Sequence, residues 1–274
     1  MTGGGPLPFP GGAAAVERRA FVPNWWARAA WIAFAVYFVY AGAQLEFTPA
    51  RFASGLEHGA KFVSRLFPPD TTSDKMALLL RGLYESLEIA IIASVLGILL
   101  SLPIGLLAAR NLMPAWLTWP ARLVMIFCRS FHPVIVAILF VKAVGFGALA
   151  GILALTVASV GFLGKLMTEA IEEISLKQVE AVRATGAPFM SVVLFSVIPQ
   201  VFSRFIGFVA YETDANLRNS TMVGIVGAGG IGGTLFAAFQ RFDYDFVCTI
   251  VLTIIALIMA GEILTVRVKR IFRA

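Results

Sequence analysis

Residues Lys165–Gln200 read KLMTEAIEEISLKQVEAVRATGAPFMSVVLFSVIPQ. This is a polar, helix-forming island carrying Glu169, Glu172, Glu173 and Glu180, with long apolar runs on both sides. A polar helical island between membrane spans is either a solvated loop or a docking surface for a soluble partner, and the surrounding chain has to decide which. That chain is 59% hydrophobic and 14% charged over 274 residues, with a mean hydropathy of +0.85. Such values exclude an ordinary soluble domain and point to a multi-pass membrane protein. The formal charge is +6. In a membrane protein such a surplus collects in cytoplasmic loops, and no soluble face interleaves basic and aromatic residues, so nucleic acid is not a partner. Cys128 and Cys248 both fall in apolar runs and read as small buried hydrophobes.

Working outward from the island, residues 1–24 begin with MTGGGPLPFPGGAAA and read as a disordered cytoplasmic tail. A first span covers residues 25–42, with Trp25, Trp26 and Trp31 suited to the headgroup region. The run is too long for a signal peptide and no small-x-small site follows it, so it is expected to remain uncleaved. Residues 43–82 are mixed and polar, an extracytoplasmic segment containing LFPPD at Leu66–Asp70. Further spans are expected at Leu83–Ala109, Arg122–Val144, Ala148–Met167, Ser191–Tyr211 and Phe246–Val266. Pro103, with Gly97 and Gly105, predicts a bend in the second. A helix needs roughly 20 residues to cross a ~30 Å hydrocarbon core, whereas barrel strands are shorter and alternate. The expectation is an all-α polytopic membrane protein with about six transmembrane helices. With the N-terminus in the cytoplasm, inside segments hold 12 Lys and Arg residues and outside segments 8. That bias favours both termini inside and makes the island cytoplasmic.

Glu180-Ala181-Val182, then Gly186, then Ile198-Pro199 resembles the EAA loop of ABC-importer permeases, with Val182 in place of the second Ala and Ser196 in place of an Ile. The resemblance implies short cytoplasmic coupling helices that dock on an ATPase subunit. Gly186 would let the chain turn sharply out of that helix. LFPPD, ESLEIA at Glu85–Ala90, LPIGLLAARN at Leu102–Asn111, EAVRATGA at Glu180–Ala187, IPQ at Ile198–Gln200 and NLRNSTMVGIVGAGGIGGTL at Asn216–Leu235 are together similar to the permease subunit of phosphonate ABC importers. This implies a type I ABC importer permease fold, with a core over residues 83–274 and a coupling loop at 168–190. ATPase contact would fall to Glu169, Glu173, Glu180, Ala181, Arg183, Thr185, Gly186 and Ala187. The implied partners are two ATPase subunits, a second copy of this chain, an extracytoplasmic phosphonate- or phosphate-binding protein, and the lipid bilayer of a bacterial cytoplasmic membrane. ATP and Mg would be bound by the ATPase, leaving this chain with no cofactor and no catalytic role. At Arg129-Ser130-Phe131-His132-Pro133 the family more often reads R-S-I-P-E, a departure that bears on the ligand and not on the fold.

Gly227–Gly232 (GAGGIG) formally matches the dinucleotide fingerprint, but it lies between spans and the next acid, Asp243, comes too early. There is no G-x-x-x-x-G-K-[ST] phosphate loop. Two readings remain for Gly227, Gly229, Gly230 and Gly232: a close-packed turn, or a nest of backbone N–H groups for an anion at an outer gate. Just upstream, Asp214, Asn216, Arg218, Asn219, Ser220 and Thr221 cluster at the outer end of the fifth expected span. Arg218 could receive a phosphonate dianion, or pair with Asp214 one turn away. Arg129, Ser130, His132 and Arg204 sit in apolar surroundings, where ionisable groups face a cavity or a partner. For Arg204, Glu85, Glu88 and Glu262 are candidate partners. A membrane-embedded enzyme would need a nucleophile–base pair or metal cluster, yet His58 and His132 are the only histidines and neither neighbours such a group. An ATP-independent secondary transporter would commonly show internal repeats, and none is visible.

Overall fold

The structure is a computed structural model that describes residues 25–45 and 48–272, so the expected tail at 1–24 lies outside the described residues. The chain divides into two compact units, Met1–Lys61 and Phe62–Ala274. In the first, helix α1 (Trp25–Gln44) buries none of its residues, as suits a helix solvated by lipid. Most of helix α2 (Pro49–Arg65) also belongs to this unit; it is amphipathic and carries an exposed Lys61–Glu57 pair.

The second unit holds the core. Helix α3 (Ser73–Ala108) is 36 residues long, about 54 Å at 1.5 Å per residue. It starts ten residues before the expected span at Leu83, because nothing between Ser73 and Arg81 breaks a helix. The bend expected at Pro103 does not interrupt it. The expected third span, Arg122–Val144, is corrected: it is two helices, α4 (Ala115–Ser130) and α5 (Pro133–Val144), meeting at 91°. Pro133 is the cause. Its ring disfavours helical backbone at the preceding residue, and His132 sits extended at φ −66°, ψ 140°. The His132 Nδ1 then accepts a hydrogen bond from the Val134 N–H and caps α5.

Helix α6 (Ala148–Glu172) runs through the middle, packed against α3, α4 and α5. The island becomes helix α7 (Leu176–Ala184), a short turn α8 (Phe189–Val192), a π-helical turn (Val193–Val197) and helix α9 (Ile198–Ile225). From Phe189 to Ile225 these form one 37-residue candidate span. The fifth span therefore does not stop at Tyr211, and residues 214–221 lie on a helix. A short helix α10 (Ile231–Gln240) and a long α11 (Tyr244–Phe272) complete the chain. Among the described residues, five helices are long and apolar enough to cross a membrane, or six if α4 and α5 form one broken span.

Lipid tails are as apolar as leucine, so helix association inside a bilayer relies on close packing at small residues. A Cβ on Gly97 of α3 would stand 2.3 Å from the Ser159 Cβ of α6, and one on Gly161 would stand 2.6 Å from the Arg129 Cγ of α4. These contacts set α6 as the central helix. Ile89, Ala93, Ala150, Ala154 and Leu155 fill the space toward one end of it, and Met167, Ala170 and Ile171 toward the other. Cys248 is buried and Cys128 half-buried, both free.

Candidate functional site

The elbow between α6 and α9 is built from the island. The Ser175 N–H donates to Gln200 Oε1 at 2.9 Å, and Gln200 Nε2 donates to the Ser196 carbonyl at 2.8 Å. One amide thus caps the start of α7 and is oriented by its own helix. On α7, Val179 is 1% exposed and packs with Ala109, Met167, Ile171, Val192, Val197 and Val201; Val182 and Ala187 lie half-buried beside it. Residues 179 and 182 share one helical face. The departure from the second Ala of the EAA pattern therefore points inward, where a larger side chain fills space. Glu180, Ala181 and Arg183 stay exposed. Beyond them Thr185 and Gly186 close the helix: the Thr185 hydroxyl donates to the Val182 carbonyl, and the Gly186 N–H to Arg183 O at 3.0 Å. Gly186 has φ +77°, a left-handed conformation that ends a helix without a Cβ penalty.

The two upstream acids have partners within the chain. Glu169 pairs with Lys165 at 2.6 Å, and Glu173 pairs with Arg204 at 2.5 Å. The second pair corrects the expected partners of Arg204: it meets Glu173 and not Glu85, Glu88 or Glu262. Arg204 lies one turn beyond Gln200, so both face the α6–α7 elbow. The α3–α4 turn is tied to the same place. Glu172 Oε1 accepts from the Arg110 N–H at 2.8 Å and from Arg122 Nη2 at 2.6 Å, while Asn111 Nδ2 donates to the Ile171 carbonyl at 2.7 Å. Sequence reading assigned no role to Asn111, Arg122 or Gln200. The motifs AARN and IPQ that contain two of them were the available signal.

The Gly-rich segment is close-packed. Gly227, Gly229 and Gly230 have positive φ. The Ile231 N–H donates to Ser86 Oγ at 2.8 Å, and the Gly147 N–H to the Gly227 carbonyl at 3.0 Å. A Cβ on Gly232 would stand 1.9 Å from the Thr221 carbonyl oxygen.

The polar group upstream splits by helical phase. Asn216 is 1% exposed and lies inside the α3–α6–α9 bundle. Its Nδ2 donates to Ser94 Oγ at 3.0 Å and to Ser159 Oγ at 2.9 Å, and Ser159 donates to Glu212 Oε1 at 2.6 Å. Glu212 was missed from sequence; its place one turn before Asn216 on the same face was the signal. Ser220 and Thr221 are also buried, Asn219 half-buried. Arg218 is exposed and bonds Asp214 Oδ2 at 3.0 Å, the i, i+4 pairing. At the α4–α5 break, Arg129 and Ser130 are exposed, the latter donating to the Ile126 carbonyl. Arg129 shares a cavity of about 120 Å³ with Arg122 and Lys165, so three cations line one small recess.

The apolar bundle thus carries an exposed helix anchored by one buried valine and closed by a glycine-ended turn. A family model described as "Binding-protein-dependent transport system inner membrane component" matches residues 101–274. The chain belongs to that family. This permease is 38% identical over 201 residues to the phosphate-import permease protein PhnE of Mycolicibacterium smegmatis, covering 73% of this chain and 37% of that protein. It is 39% identical over 206 residues to the phosphite transport system permease protein PtxC of Stutzerimonas stutzeri, covering 75% and 74% of the two chains. Its fold matches a solved structure of the MetNI methionine ABC transporter in an inward-facing conformation, with a TM-score of 0.66 and 24% identity over 74% of this chain and 99% of that one. The permease thus has the all-α polytopic fold of an ABC importer membrane subunit.

Proposed function

We propose that this permease is one half of a homodimeric pathway through which an ATP-driven importer moves phosphonate, or a related oxyanion such as phosphate or phosphite, into the cytoplasm. The observation that carries the reading is α7, a short exposed helix whose only fully buried residue, Val179, keys it into the base of the bundle. Two ATPase subunits, which hold the ATP and Mg, grip Glu180, Ala181, Arg183 and the turn at Thr185–Gly186 in each copy. Both termini and α7 lie in the cytoplasm, and a binding protein loaded with the anion docks at the other end, where the Gly227–Gly232 turn packs against α3. ATPase closure moves α7, and α9, continuous with the elbow, carries that motion to Glu212 and Asn216. The relatives named for phosphate and phosphite support the ligand class. Affinity resides in the binding protein, since a path that held its anion tightly would not release it.

Reconstituted uptake tests this. Vesicles holding the permease, the ATPase and the binding protein should take up the anion only with ATP. Glu180→Arg and Gly186→Val should abolish ATP-driven uptake while leaving membrane insertion intact. Uptake without the ATPase, or normal uptake in both variants, would overturn the reading.

A further inference from the structure

A cavity of about 570 Å³ opens beside the elbow, between the end of α6, the first half of α9 and the end of α11. That volume falls in the range of small-molecule sites. Its walls include Phe208 and the Tyr211 ring, and its polar groups are Glu173, Ser203, Arg204 and Lys269. The two cations are held differently. Arg204 spends one nitrogen on Glu173, leaving its other donors free. Lys269 Nζ lies 5.6 Å from the Tyr211 ring centroid and has no carboxylate partner among the described residues. The Glu173–Arg204 pair is weakly defended. Its side chains are 65% and 52% exposed, and exposed ion pairs contribute little.

We propose that this cavity is an anion site for a phosphoryl group, in which the incoming anion takes Arg204 from Glu173 and bridges it to Lys269. With Glu173 in place the three charges sum to +1, and with Glu173 displaced the cavity presents two cations to a dianion. An Arg fork matches two oxygens of a tetrahedral oxyanion, and the ammonium supplies a compact second charge. Ser203 adds a neutral donor on the same wall. Glu173 caps α6 two residues before the Ser175 that starts α7, so the exchange releases one of the two links, Arg204–Glu173 and Gln200–Ser175, that tie α9 to the elbow. Occupancy of the site is thereby reported to α7. The phosphoryl anion has two sources, a transported oxyanion or an anionic lipid headgroup. The inference rests on the oxyanion reading only for the choice of one set of probes.

The test uses the full-chain permease in phosphatidylcholine nanodiscs, without ATPase or binding protein. Phosphorus NMR line broadening of inorganic phosphate and methylphosphonate reads binding directly. Arg204→Gln and Lys269→Gln should each weaken it by about tenfold or more. Glu173→Gln should strengthen it several-fold, a gain that misfolding cannot mimic. In a second arm, nanodiscs containing phosphatidylglycerol are examined by native mass spectrometry. Retention of that lipid by the wild type and its loss in Lys269→Gln would assign the headgroup as the source of the anion. Unchanged binding of every probe in all three variants, or weaker binding in Glu173→Gln, would overturn the site. Because the ATPase is absent, failure here leaves the uptake experiment to judge the importer reading by itself.

Discussion

Replacing Val179 by alanine removes the one fully buried side chain of α7. The helix has nine residues, well short of the roughly 12–15 needed for an isolated helix to persist in water, so it exists because it is docked. Val179 is 1% exposed against Val192, Val197 and Val201. The lost methyl groups and the cavity left behind cost about 1.5–2.5 kcal/mol. Alanine is the better helix former by about 0.6 kcal/mol, which offsets part of this. The remaining loss of about 1–2 kcal/mol raises the local opening constant about 5- to 30-fold. Hydrogen exchange of the α7 amides, followed by mass spectrometry in nanodiscs, reads that constant directly. Exchange over Leu176–Ala184 should accelerate by this factor while α6 and α9 keep their protection. Lys177→Ala, on the exposed face of the same helix, should change nothing. Equal protection in the two variants would refute the claim that Val179 holds α7, as would a loss spread through the whole bundle.

Three further outcomes are expected. Gly232→Ala should sharply lower the yield of folded protein, because its Cβ would stand 1.9 Å from the Thr221 carbonyl oxygen, whereas Gly233→Ala, with its nearest neighbour at 3.6 Å, should be tolerated; size-exclusion profiles in detergent compare them. Asn216→Leu removes the two bonds to Ser94 and Ser159 and should cost about 1 kcal/mol, since polar pairs inside membranes average about 0.6 kcal/mol each; thermal unfolding in detergent measures it. The Lys75 ammonium, with the Thr72 hydroxyl and N–H, holds the Asp70 carboxyl well below the usual carboxylate range. A depressed folded-state value stabilises the protein fully above about pH 4 and loses that contribution as the pH falls toward the folded value. Acidification from pH 5 to 3 should therefore lower the melting temperature of the wild type more than that of Asp70→Asn, and equal slopes would remove Asp70 from the account.

The break between α4 and α5 shows how local information can be present and still be outvoted. Pro133 marks it, but the apolar run from Leu123 to Val144 reads as one span when hydropathy is averaged along it. The backbone rule at the residue before a proline decided the geometry. The α7 elbow was more legible, because its parts are close in sequence: the exposed Glu180 face, the glycine that ends the helix and the return into an apolar run lie within a few turns.

The sequence by itself determined the class, the approximate number of spans and the place of the polar helical island that becomes α7, because lipid solubility and helix termination are properties of short contiguous stretches. Only the tertiary structure decided which residues meet. Glu173 with Arg204, Glu172 with Arg122, and Asn216 with Ser94 are separated by 31, 50 and 122 residues. It also decided which face of each span is inside. A soluble helix advertises its buried face by apolar periodicity, but a helix surrounded by lipid is apolar all round. Its inward face is marked instead by small and polar residues whose partners sit on other helices, and that mark becomes readable once the helices are packed.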